Sequence, residues 1–185
     1  MSLSDPADRV YTHSEPLLFG ALKGALREFV AKDESLLLWP KAKASIAHVL
    51  ALRLGESCAL HLNLPESMQV DIMAEGSDVI VHDRDGNLLI GLVFSTTYLT
   101  QAQHDQLRLL QKRGCKLVIG IAFLKEKEYF LLYHPKRGST DYYHYRRHTS
   151  EVVLLRERDK SGDDGQQLLL SIKERKKRKK TTPDR

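Results

Sequence analysis

With 185 residues the chain has room for one domain and a tail, and 42% hydrophobic residues give that domain material for a real core. Its two cysteines, Cys58 and Cys115, lie far apart in apolar surroundings, which excludes a disulfide framework and reads as reduced core thiols. The net charge of +5 divides unevenly, because residues 173–185 hold eight Lys or Arg and two acids, a net +6, and leave −1 on the other 172 residues.

The opening MSLSDPADRV has no basic segment followed by an apolar stretch, and no apolar run approaches the ~18 residues of a membrane span. The expectation is a cytoplasmic protein without a membrane span. Residues 1–13 are expected to be a flexible N-terminus, 14–172 a single α/β domain, and 173–185 a disordered basic tail.

Ser14-Glu15-Pro16 has the form of a helix start, and Leu18, Leu22, Ala25 and Phe29 then recur at helical spacing through about Val30. A second helix is predicted from near Pro40, with Ile46, Val49, Leu50 and Leu54 as its buried stripe and Gly55 as its end. Trp39 reads as a packing anchor. Cys58, Leu60, Leu62 and Leu64 alternate with Ala59, His61 and Asn63, which predicts a half-buried strand. Residues 68–73, MQVDIM, suit a short strand.

A hairpin follows: DVIV (78–81), a turn around Asp83-Arg84-Asp85-Gly86-Asn87, and LLIGLVF (88–94). The second arm is apolar on both faces and belongs inside a sheet. Thr100 with Gln103 resembles a capping box, and opens a helix that stops at Gly114. KLVIGIAFL (116–124) and EYFLLYH (128–134) read as buried strands. Strands near VVLLRE and QLLLSI, joined by the polar turn KSGDDG, complete a mixed α/β body.

Helices first, then a hairpin carrying an acid, then a helix and a buried strand: this order resembles the PD-(D/E)xK, or restriction-endonuclease-like, nuclease superfamily. The local match is Ser77-Asp78-Val-Ile-Val, the DRDGN turn and Leu88 through Ser95, within a likeness covering roughly residues 14–134. The resemblance implies a mixed central sheet flanked by helices, here with added C-terminal strands. It also implies a metal-binding Asp on the first hairpin strand, with an acid and, two residues later, a lysine on the second. Two carboxylates would hold Mg²⁺, which polarises the phosphate, and the lysine would stabilise developing charge. Asp78 fits the first position. Val93 stands where the acid belongs and Ser95 where the lysine belongs, so one carboxylate is left. Gln106 matches a glutamine of some members, and Leu110 stands where those have tyrosine.

His82 shares a strand face with Asp78, and Asp71, Glu75, Glu15 or Glu28 are further candidates to rebuild a site. The competing reading has Asp78 starting a strand, Asp83 and Asp85 shaping a turn, and His82 meeting water. In DYYHYRRH (141–148), Tyr142, Tyr143 and Tyr145 offer rings for bases, and Arg146 and Arg147 offer charge for phosphates. The same stretch also reads as an exposed strand or loop whose tyrosines cover the core edge. His144 and His148 have zinc-like spacing, but no Cys or acid cluster accompanies them. Lys176, Lys177, Arg178, Lys179 and Lys180 form an arm suited to phosphate backbones; such arms also bind anionic membranes and acidic proteins, or are merely solvated.

These features point first to a DNA- or RNA-binding or scaffolding module on a nuclease-like fold, a pseudoenzyme with no cofactor. Two alternatives stand beside it. One is a divergent Mg²⁺-dependent nuclease using Asp78 as catalytic residue and metal ligand with relocated partners. The other is an adaptor whose basic arm binds an acidic protein.

Overall fold

A computed structural model describes residues 14–62, 68–83 and 85–159. Helix α1 (Glu15–Asp33) starts after extended Ser14 with Pro16 in its first turn, and buries Leu18, Ala21, Leu22, Ala25, Leu26 and Phe29. A short 3₁₀ segment (Glu34–Leu38) leads to helix α2 (Lys43–His61). The two helices cross closely at Gly24, where an added Cβ would sit 2.5 Å from Ser57 Oγ. Ser57 is held there by donating its hydroxyl to the Ala21 carbonyl at 2.8 Å.

Two expectations fail in this stretch. Gly55 does not end α2, and Cys58 through His61 continue the helix instead of forming a strand. Leu54, Cys58 and Leu62 recur every four residues and are buried, whereas Leu60 is 80% exposed. The alternation of apolar residues contains a helical stripe, and packing against α1 and the sheet selects it. Trp39 is not a packing anchor, being 67% exposed.

Among the described residues the sheet has seven strands, in chain order. They are β1 (Gln69–Ile72), β2 (Val79–His82), β3 (Leu88–Ser95), β4 (Leu117–Ala122), β5 (Tyr129–Pro135), β6 (Ser139–Arg146) and β7 (Val152–Asp159). Helix α3 (Gln101–Lys112) joins β3 to β4, which pair in parallel; every other neighbouring pair is antiparallel. The α/β class and the central position of β3 follow the expectation. Thr100 and Gln103 form the capping box at α3, and Gly114, at φ 85°, follows its end. Strand β6 is an element that sequence reading left open between strand and loop. The QLLLSI strand, the KSGDDG turn, the N-terminal segment and the basic tail lie outside the described residues.

The pleat sorts the core into two layers. Ile90, Leu92 and Phe94 of β3 stand beside Leu117, Ile119 and Ile121 of β4 and pack with α1 and α2. Val93 and Val118 turn to the other face, where Leu107 and Leu110 of α3 cover them. Cys58 and Cys115 are buried and unpaired, and burial pushes both thiols up to about 12. Among the described residues no helix is long and apolar enough to cross a membrane.

Candidate nucleic-acid interface

Strand β2 starts at Val79, opposite Leu92, whereas β3 runs on to Ser95, and the geometry around Asp78 follows from that. The Asp78 amide donates to the Leu92 carbonyl at 2.8 Å, on the rung where Val79 already pairs with Leu92. Beyond this point β2 offers no backbone partner to Phe94, a fully buried residue whose peptide groups still need bonds. Asp78 Oδ2 accepts the Phe94 N–H at 2.7 Å, and Gln103 Nε2 donates to the Phe94 carbonyl at 3.1 Å. Lys43, the first residue of α2, places Nζ 2.8 Å from Asp78 Oδ1 and 5.6 Å from the centre of the Phe94 ring. Asp78 is therefore a buried acceptor with both oxygens engaged, at the join of β2, β3 and α2.

The other acids proposed to converge on Asp78 are committed elsewhere. Glu75 pairs with Arg113, Glu15 with Lys136, and Glu28 with Lys32. Asp71 pairs with His82 across the β1–β2 ladder. Among the described residues, no group of three or more His, Cys, Asp or Glu is arranged to hold a metal ion. Asp83 shapes the turn, its Oδ1 accepting from the amides of Asp85 at 3.0 Å and Asn87 at 2.8 Å. Gln106 lies on the exposed side of α3; Gln103 is the glutamine that reaches β3.

His82 has two acceptors around its ring: the Asp71 carboxylate 2.9 Å from Nε2 and the Asp83 carbonyl 2.8 Å from Nδ1. Only the imidazolium donates to both. These bonds, the one to Asp71 foremost, raise its pKa. A raised folded-state value adds stability that is fully present below about pH 6.5 and fades as pH rises through the folded-state pKa. His82→Gln is expected to lower the urea midpoint at pH 5.5 and to leave it nearly unchanged at pH 8.5. An equal loss at both pH values would remove the ionic account of this contact.

The DYYHYRRH stretch splits between the two faces of β6. Tyr145 is fully buried and stacks with Phe130 at 5.9 Å, so its ring offers no face to a base. Tyr143 packs on the α1 side, 5.7 Å from Phe19, and its hydroxyl donates to Asp141 Oδ2 at 3.3 Å. Arg147 is a clasp between elements: it pairs with Glu34, donates to the Lys125 and Lys127 carbonyls, and lies over Phe130. Tyr145 is thus a core residue, and Tyr143 and Arg147 are engaged within the fold.

Tyr142 and Arg146 are on the α3 side. Helix α3 packs on β3, β4 and β5 and stops there. Past its edge, Tyr129, Leu131, Tyr142 and His144 are half-buried, and Arg146 and Val153 are exposed. Tyr129 and His144 stack with ring centres 3.7 Å apart, and Tyr142 meets Tyr133 edge-on at 5.4 Å. Burial, then the charge of Arg146, holds His144 below its ordinary pKa, so it stacks as a neutral ring near pH 7. Arg146 reaches Glu151 at 3.2 Å in a pair exposed on both sides. Sequence reading missed Tyr129, His144 as a ring partner, and Lys43. The two rings were legible only once β5 and β6 were known to be neighbours, and nothing local marks Lys43. Lys176, Lys177, Arg178, Lys179 and Lys180 lie outside the described residues. Compared with known proteins, the chain matches no family model, no curated protein and no solved structure.

Proposed function

We propose that the chain is a nucleic-acid-binding or scaffolding module on a nuclease-like fold, a pseudoenzyme without hydrolytic activity. The observation that carries the reading is Asp78, whose two oxygens are taken by Lys43 and the Phe94 amide, while β3 offers Val93 in place of a second acid. Magnesium-dependent phosphodiester hydrolysis needs carboxylates that are available to the ion, and a saturated Asp78 is a structural acceptor instead. The net +6 of residues 173–185 favours DNA or RNA as the partner, through its attraction to phosphate. A cytoplasmic setting suits the two buried, unpaired thiols.

The test pairs a cleavage assay with a binding assay. With Mg²⁺ or Mn²⁺, the full chain is expected to leave labelled DNA and RNA intact. Truncation after residue 172 is expected to keep the melting temperature, because so charged a segment buries little apolar surface. It should weaken nucleic-acid binding by about ten-fold or more at low salt. The log–log salt slope should become shallower by roughly 0.7–0.9 for each phosphate that the tail would have neutralised. Cleavage abolished by Asp78→Ala in a folded variant would reverse the reading in favour of a nuclease. Absence of binding at low salt would leave an acidic protein as the partner.

A further inference from the structure

We infer that a single-stranded nucleic acid lies across β5, β6 and β7 on the α3 side of the sheet, its bases stacked on Tyr142 and on the Tyr129–His144 pair. This rests on the nucleic-acid reading above and specifies its substrate class and site. The first support is the ring geometry. Tyr133 opposes Tyr142 and Leu131 opposes His144, so Tyr142 and His144 stand on alternate rungs of one ladder, with Tyr129 diagonal to His144. Tyr142 and Arg146 are four residues apart on β6, about 13 Å along an extended strand, which is room for more than one base.

Charge supplies the second support. Residues opposite one another in a ladder share a face. The register sets Arg156 opposite Tyr142 and Arg158 opposite Thr140, whereas Glu157 is opposite Asp141 and Asp159 opposite Ser139. The pleat of β6 and β7 thus assigns three arginine positions, 146, 156 and 158, to the row of Tyr142 and His144. It assigns the three acids, 141, 157 and 159, to the opposite row. Arg146, exposed beside this row, supplies a charge that attracts a phosphate chain. The exposed Arg146–Glu151 pair is weak in water and exchanges readily for phosphate.

The strand must be single because duplex bases hide their faces in their own stack, while unpaired bases offer them to aromatic side chains. Loss of one such ring costs on the order of 10-fold in affinity.

The experiment uses the full chain with fluorescein-labelled oligo(dT), oligo(U) and a mixed-sequence DNA duplex of equal length. Expected are tighter binding of the single strands than of the duplex and a loss on the order of 10-fold for Tyr129→Ala and for Tyr142→Ala, with duplex binding nearly unchanged. Should either variant fail to fold, photocross-linking of the unaltered protein to bromodeoxyuridine-substituted oligo(dT) is read instead. The expected adducts fall on peptides holding Tyr129, Tyr142 or His144. Equal affinity for duplex, folded variants that bind normally, or adducts confined to residues 173–185 would each overturn the platform and leave the basic segment as the binder. No binding of any probe at low salt would sink the nucleic-acid reading itself, and the platform with it.

Discussion

Phe123→Ala is expected to remove about 3–5 kcal/mol of stability, the range for truncating a buried phenylalanine. Phe123 follows β4, is fully buried, and anchors its backbone by donating its amide to the Ser95 carbonyl at 2.8 Å. Its ring is the hub of an aromatic cluster, 5.4 Å from Phe29, 5.6 Å from Phe94 and 4.8 Å from Phe130. Those partners belong to α1, β3 and β5, so one truncation opens a cavity among three elements that cannot all collapse into it. Phe123→Leu keeps much of the volume and should cost well under that amount. Urea unfolding measures both. A loss below about 1 kcal/mol for the alanine variant would show that the cluster repacks and that this ring is not its hub.

Asp78→Ala is expected to cost about 2–3 kcal/mol, most of it from the buried Phe94 N–H left without an acceptor. The Lys43 pair adds little, because Lys43 is 45% exposed and water screens it. Asp78→Asn keeps an oxygen for the Phe94 amide and should lose about 1 kcal/mol. Lys43→Met should lose less than either. Thermal unfolding with and without millimolar Mg²⁺ completes the test, since an acceptor with both oxygens engaged gains nothing from the ion. An Asp78→Ala protein as stable as the parent, or a parent whose melting temperature climbs with Mg²⁺, would contradict the structural role and favour a metal ligand.

The hairpin around Asp83-Gly86, the capping box at Thr100 and the buried β3 and β4 were all legible in sequence. Each rests on chemistry local to a few residues. The end of α2 was not legible, because Cys58, Leu60 and Leu62 satisfy a period of two while Leu54, Cys58 and Leu62 satisfy a period near four. Only the packing partner decides between them. The candidate site shows the same division. That position 93 is valine and 95 is serine is plain from the sequence. That Lys43, 35 residues upstream, closes on Asp78 depends on where the N-terminus of α2 lands. Likewise three tyrosines within four residues look alike in sequence, yet β6 sends Tyr145 into the core and Tyr142 toward the edge of α3.

The seven strands lie in the order in which they are made, and this bears on how the chain folds. Each strand pairs with its immediate predecessor and successor, so most of the sheet forms by closing short hairpins, which is entropically inexpensive. The exception is the parallel β3–β4 ladder, whose strands meet only after the whole of α3 has been spanned. Two locally assembled antiparallel units, β1–β3 and β4–β7, must therefore be zipped together at that single ladder. The slow step of folding belongs at this seam, with Phe94 and Phe123 on either side of it.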